Sequence, residues 1–361
     1  MSTQAAHPGR RVLLVCDWFL KYVGPFAEAL QRAGVSVAVV IRDHAYEFGG
    51  DYAERRRIVE SMIAAGVEVI ELPGRGTSIL RAVPTLRRVR RWRADVAHAQ
   101  SEIHDPRMLA LVAGTPLALM VHDPAPHLGA ARRPLRLRMW QRLWLRCADY
   151  LLVHSAVLAS ALDASKPIRI LAHGAEVRPE AMPAPAQPAI VLFGRLEYYK
   201  GVRVLLGAME IVWEQRPETV LVVAGQGPEL SVVPLDPRID VVPGYVPEAE
   251  VDDILGRASL VVLPYLEASQ SGVGVQAIGR GIPVVVTDVG GLPELALDES
   301  FIVPAGDAGA LAQALLRHLD HPPALRERVL AHARAEVGWD CVAERAVQIY
   351  EELVGTRGSG R

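Results

Sequence analysis

Short apolar runs separated by stretches of helical periodicity recur along the whole chain. Runs at residues 12–15, 35–41, 67–72, 96–99, 117–121 and 150–153 lack alternation, as strands buried on both faces do. Between them, residues 25–33 and 58–65 carry apolar positions at helical spacing, the first ending at Gly34. This order predicts a doubly wound α/β domain over residues 1–181. A Pro/Ala-rich connector at residues 182–188, MPAPAQP, has no periodicity and reads as a linker. A second α/β domain is expected over residues 189–336. It opens with a strand at 189–193, a helix marked by Val202, Leu205, Leu206, Met209, Val212 and Trp213, and a strand at 220–224. Strands at 239–242, 260–263 and 283–286 and a helix at 308–319 follow. Residues 337–361 should hold a last helix and a flexible tail, GTRGSGR.

Composition narrows the class. A chain of 361 residues, half of them hydrophobic, has ample core for two domains, and a net charge of −2 offers no domain-wide basic surface for nucleic acid. Cys16, Cys147 and Cys341 are odd in number and far apart, which argues for reduced thiols instead of disulfides or a zinc site. The start, MSTQAAHPGRR, lacks the apolar core of a signal peptide. The longest apolar run, 108–121, is broken by Pro116 and is shorter than the roughly 20 residues of a membrane span. A cytoplasmic protein is expected.

The distribution of positive charge adds more. Lys21, Lys166 and Lys200 are the only lysines among 39 basic residues. Lys200 stands beside Gly201, five residues after Arg195, which follows Gly194, in the loop between strand and helix of the second domain's first βαβ unit. Such a loop gathers free N–H groups and the positive end of a helix dipole, and one guanidinium with one ammonium suits a diphosphate. Two solvated surface cations would give the same spacing. Residues 81–93 and 131–146 are also strongly basic. The latter stretch places Arg132, Arg133, Arg136, Arg138, Arg142 and Arg146 around Leu135, Met139, Leu143 and Trp144, read as one apolar face. A basic amphipathic helix of this kind can lie on an anionic membrane, or can be a solvated face over a core-packed stripe.

Other candidates sit at strand ends. His122, Asp123 and His127 follow the strand at 117–121, where open α/β sheets place ligands. They could carry a proton, bind a sugar hydroxyl, form half of a metal site, or be structural. Gly24 lies near the start of the first helix, and a G-x-G-x-x-G turn is absent there. Ser269, Ser271 and Gly272 open a short helix, a second amino terminus suited to phosphate, and the pair Gly290–Gly291 follows the strand at 283–286.

GRLEYYKG, AGQGPE, GYVP, SQSGV, GIPVVVTDVGGLPE and PAGDAGALAQAL follow one another between residues 189 and 319. In this order they resemble glycosyltransferase family 4, of GT-B fold. The amino-terminal half is similar more loosely, through VHDPAPH, VHSAVLASAL and AHG. The resemblance implies two Rossmann-like domains facing each other across a cleft, an acceptor-binding first domain, and a last helix crossing back to it. It implies a retaining, metal-independent hexosyltransferase that needs no cofactor beyond its co-substrate, a UDP- or GDP-linked sugar. Arg195 and Lys200 would then hold the diphosphate, with His122 near the reacting carbon. Gly194, Gly225, Tyr245, Val246, Ser271, Gly272, Val273 and Gln276 would complete the donor site, and Gly24, Asp123 and His127 the acceptor side.

The chain departs from the family at one pair of positions. The family has two Glu residues separated by seven others, the second gripping the ribose; here Ala268 and Gln276 stand there, with Glu267 one residue out of register. An amide can still hydrogen-bond a ribose, and the SQSGV turn is expected to replace the first Glu. A nucleotide-sugar epimerase and a non-catalytic sugar-nucleotide-binding subunit are the alternatives. A dinucleotide dehydrogenase is disfavoured by Leu230, where a third Gly belongs.

Overall fold

The structure is a computed structural model that describes residues 10–48, 50, 52–73, 79–100, 105–123, 134–162, 165–320 and 323–358. The first unit contains β1 (Arg11–Cys16), α1 (Leu20–Arg32), β2 (Ser36–Arg42), α2 (Tyr52–Ala64), β3 (Glu68–Leu72), α3 (Ile79–Trp92), β4 (Val96–Gln100), α4 (Pro106–Val112), β5 (Leu117–Met120), α5 (Leu135–Cys147), β6 (Tyr150–Val153), α6 (Ala156–Ala161) and β7 (Ile168–Ile170). Its strands form one parallel sheet in the order β3-β2-β1-β4-β5-β6-β7. Along β1, Val12, Leu14 and Cys16 join a core on one face of the sheet, and Leu13 and Val15 a core on the other. That two-sided burial is why the run carries no polar alternation.

The second unit contains β8 (Ala189–Arg195), α7 (Val202–Gln215), β9 (Val220–Gln226), β10 (Ile239–Pro243), α8 (Glu248–Gly256), β11 (Leu260–Leu263), α9 (Gly272–Ile278), β12 (Val284–Thr287), β13 (Ile302–Val303), α10 (Ala308–His318) and α11 (Pro323–Glu336). Its sheet is parallel in the order β10-β9-β8-β11-β12-β13. Strand order reverses direction between β1 and β4 in one sheet and between β8 and β11 in the other, the points where such sheets open a crevice. The last helix, α12 (Trp339–Gly358), lies with the first unit: Val342, Ala346, Val347, Ile349, Tyr350 and Leu353 share a core with Val12, Leu14 and Phe26. Among the described residues, no helix is long and apolar enough to cross a membrane.

Three local readings change. The first helix begins at Leu20, not near Pro25, because Glu47 caps it from a distant turn: its carboxylate accepts Leu20 N–H at 2.7 Å and Lys21 N–H at 3.0 Å. No local sequence signal reports a cap supplied from 27 residues away. Gly24 therefore sits inside α1, where a Cβ would come 2.5 Å from Ile58 Cγ2; it lets α1 approach α2 and does not face the cleft. The short edge strands β7 and β13 were not anticipated, being three and two residues long.

Candidate active site

The carboxyl ends of β8 and β9 converge through backbone that only glycine tolerates. Gly225 has φ 136°, and a Cβ there would sit 1.8 Å from Gly194 O; Gly201, at φ 69° before α7, would place a Cβ 1.8 Å from Pro264 O. These approaches press the β8–α7 turn against the end of β11. On that turn Arg195 is exposed, while the Lys200 ammonium lies 3.7 Å from the centre of the Tyr265 ring. Among the described residues neither cation has an ion pair, whereas Arg203, Arg216, Arg238, Arg257 and Arg280 of the same unit are each matched to a carboxylate. Burial pushes the Lys200 pKa down to about 8; Tyr199 and Asp123 pull it up and Arg195 pushes it further down. A desolvated lysine and an exposed arginine, both without an ion pair among the described residues, thus stand at the amino end of a helix, an arrangement that can receive an anion.

The opposite wall is a chain of histidines. His122, at the end of β5, stacks on Phe19 with ring centres 4.1 Å apart. His154, just past β6, holds Nδ1 3.0 Å from Leu171 O and Nε2 2.9 Å from His122 Nδ1. A carbonyl can only accept, so in the neutral ring His154 Nδ1 carries the proton and Nε2 receives the N–H of His122. The Gln100 atom placed 2.6 Å from His122 Nε2 is Oε1; a half-turn of that amide brings its NH2 there to donate to the ring's lone pair. Both His122 nitrogens are thus spent inside the protein, and the proton-carrier alternative loses its free nitrogen. Burial, then the neighbouring imidazoles of His154 and His173, hold His122 well below the usual histidine range. Phe19 itself has φ 72°, an αL strain that a non-glycine residue bears here to seat its ring against His122.

His173 sits in the segment joining the two units. Its Nδ1 lies 3.0 Å from Gly174 O, so the proton is on that nitrogen, and a Cβ on Gly272 would stand 3.9 Å from its Nε2. Tyr22 packs edge-on against His122, His154 and His173, and its buried hydroxyl has no hydrogen-bond partner among the described residues. A cavity of about 230 Å³ between the units is lined by Lys21, Tyr22, His173, Glu248, Gln276 and Arg280, among others.

The remaining sequence candidates fall into place unevenly. Asp123 is half-buried, and its charge acts on both Lys200 and His154. His127 lies outside the described residues, as do Arg132 and Arg133. The Ser271 hydroxyl caps α9 by accepting Gly274 N–H at 3.2 Å and meets Tyr265 OH at 3.1 Å. With Gly274 N–H and the Tyr265 hydroxyl both donating to it, its own O–H stays available, and the Gly272 and Val273 backbone lies beside it. Gln276 projects from α9 and donates to Glu248 Oε1 at 3.4 Å, so a carboxylate stands beside the amide. Ala268 lies against Gly290, whose Cβ would meet Ala268 O at 1.7 Å. Val246 is buried in the second core. The Tyr245 hydroxyl reaches across to the first unit, accepting from Lys21 Nζ at 2.5 Å and donating to Glu54 Oε2 at 3.2 Å. Gln100, His154, His173, Tyr265 and Lys21 went unassigned from sequence. The repeat of Val-His after two adjacent strands, VHD and VHS, was the available signal for His154.

Two family profiles match the chain: glycosyl transferases group 1 over residues 187–321, and a glycosyl transferase 4-like domain over residues 20–172. A glycogen synthase of Mycobacterium tuberculosis is 28% identical over 353 residues, covering 90% of this chain and 81% of the relative. A 2-deoxystreptamine glucosyltransferase of Streptomyces kanamyceticus is 26% identical, covering 74% and 79%. Among solved structures, a sucrose-phosphate synthase from Thermosynechococcus elongatus superposes with a TM-score of 0.69 at 18% identity, covering 96% of this chain and all of that one. Anabaena HepE in complex with UDP and glucose gives 0.68 at 14% identity, covering 95% and 100%. Both structural likenesses show the fold, two parallel-sheet α/β units of GT-B type. With both halves matched in order, the chain belongs to the group 1 glycosyltransferases of family 4.

Proposed function

We propose that the chain transfers a hexose-type sugar from a UDP- or GDP-linked donor to a hydroxyl acceptor, with retention at the anomeric carbon and without a metal. The observation that carries this is the unmatched pair Arg195 and Lys200 at the glycine-crowded β8–α7 turn. In the reaction the bond from the anomeric carbon to the diphosphate oxygen breaks and the bond to the acceptor oxygen forms. The acceptor's proton ends on the diphosphate. Charge grows on the leaving diphosphate, and two cations, a desolvated Lys200 and an exposed Arg195, offset it where a metal ion otherwise would.

In this reading the backbone at Gly194, Gly225, Gly272 and Val273 approaches the diphosphate and sugar. Gln276, with Glu248 beside it, faces the ribose, and Tyr245 and Val246 face the base. Asp123 lies on the acceptor side, and His122 fixes the wall of the cleft through Gln100 and His154. Retention is supported by family membership. The protein would work in the cytoplasm, where nucleotide sugars are made. The comparisons favour neither the epimerase nor the non-catalytic reading.

Titration calorimetry with UDP and GDP tests the site. The wild type should bind at least one of them, and Lys200→Ala should weaken that binding by about tenfold or more, the scale of one charge-assisted contact. Equal affinity in both proteins would remove Lys200 from the site. Product analysis with donor alone, and then with a panel of acceptors, separates transfer from epimerisation.

A further inference from the structure

The helix α5 has the geometry of a surface that docks. Trp144 is fully buried in the core on one face of the first sheet. At 3.6 residues per turn, Leu135, Met139 and Leu143 lie on the side away from it. They do not share its face, as the sequence reading had it. They are 67%, 60% and 37% exposed. Arg138, Arg142 and Arg146 run along the same side and Arg136 borders it, and none has an ion pair among the described residues. The helix contains no Asp or Glu. Open grooves of about 500 and 570 Å³ flank it, the second walled by α4. On the same face of the sheet, α3 carries Arg87, Arg88, Arg90 and Arg91, again with no acidic residue, and exposes Leu80. A solvated helix face does not bare three large apolar side chains at i, i+4 and i+8, and a core-packed stripe would be buried.

We infer that α5 is a membrane-docking face that lies flat on an anionic bilayer. Charge complementarity selects this occupant. Arginine stems can lie along the apolar stripe while their guanidinium groups reach lipid phosphates, and the apolar side chains enter the acyl boundary. Topology places this face usefully. The chain leaves β5 at the cleft end of the sheet, and α5 runs back antiparallel to the strands, so Leu135 and Met139 lie at the cleft end of the helix. A docked molecule would hold its cleft mouth near the bilayer, within reach of an acceptor presented there. The inference goes beyond the donor reading and does not depend on it.

Co-sedimentation of the full chain with phosphatidylglycerol-containing vesicles, and with phosphatidylcholine vesicles alone, tests this. Wild type should pellet with the anionic vesicles only, and less so as salt rises. Arg138→Gln with Arg142→Gln should lower partition about 25-fold, at roughly 1 kcal/mol or fivefold per arginine. Met139→Ser with Leu143→Ser should also lower it while leaving nucleotide affinity unchanged, which verifies folding. Failure of wild type to pellet with anionic vesicles would overturn the inference, as would variants that pellet equally well. A wild-type dimer by light scattering that both variants dissolve would assign the face to a second copy instead.

Discussion

His122 Nδ1 and His154 Nε2 lie 2.9 Å apart, and each ring is anchored on its other side, to Gln100 and to Leu171 O. Burial favours the neutral form of both imidazoles, so acid works against this packing. Burial holds His154 and His98 down at about 3, while an unfolded histidine takes its proton near 6.5. Between those values the unfolded chain binds more protons than the folded one. Stability is therefore complete above about pH 6.5 and falls as the pH drops, by about 1.4 kcal/mol per unit for each such histidine. Urea midpoints measured from pH 7.5 to 5 should decline steeply, and His98→Gln should make the decline shallower. A flat profile would show that these histidines are charged when folded.

Lys200 titrates in the other direction. With a pKa near 8, set first by burial, the free enzyme carries the ammonium below that pH and loses it above. A bound diphosphate favours the charged form, so affinity for a nucleoside diphosphate should be level below about pH 7.5 and fall about tenfold per unit above 8. In Lys200→Arg the charge persists and the fall should vanish over the same range. Calorimetry from pH 6.5 to 9.5 on both proteins decides it. A wild-type affinity that is constant with pH would mean the lysine does not face the anion.

Glycine at position 201 is required twice, by its φ of 69° and by the Pro264 carbonyl that fills the space of a Cβ. Gly34 has φ 85° but nothing within 4 Å of its Cβ position. Gly34→Ala should cost about 1 kcal/mol from the left-handed backbone alone. Gly201→Ala should cost more, about 3 kcal/mol, and should also lower the affinity for nucleotide because Lys200 precedes it. Denaturation midpoints with matched m-values compare the two. Equal costs would mean that the β8–α7 turn is free to shift.

How much of this was legible in the sequence depends on how local its cause is. Strands such as β1, β8 and β12 announce themselves as short apolar runs, because burial on both faces removes every polar position. Arg195 and Lys200 stood out because lysine is so rare in the chain and glycines flank the turn. The start of α1 was not, since its cap comes from Glu47 across the fold. Gln276 could be placed by spacing, but Glu248 beside it comes from another helix. Ser271 reads as a ligand for phosphate in the sequence, and its further part as the cap of α9 through Gly274 N–H is not visible there. Leu135, Met139 and Leu143 showed helical spacing, which cannot tell a face turned inward from one left bare; Trp144, nine residues past Leu135, takes the inward side.

Tyr245 ties the two units together across the cleft. Its hydroxyl is held by Lys21 at 2.5 Å and Glu54 at 3.2 Å, and Lys21 is itself 2.8 Å from Glu54, whose side chain is nearly buried. The Lys21–Glu54 pair belongs wholly to the first unit, so Tyr245→Phe removes one link between the units while leaving that pair, and the 3.9 Å Lys21–Glu248 ion pair, intact. The ring stays for packing or for stacking on a base. Stability should change by no more than about 1 kcal/mol, the net worth of one hydrogen bond. The free enzyme should nevertheless sample a more open cleft, because a contact between units that lie in separate cores holds their separation and not their folds. Small-angle scattering should give a larger radius of gyration for the variant than for wild type at an equal melting temperature. An unchanged radius would show that the cleft is held shut elsewhere, with the Ala156 N–H to Glu294 contact, 3.0 Å long, as the next link to cut.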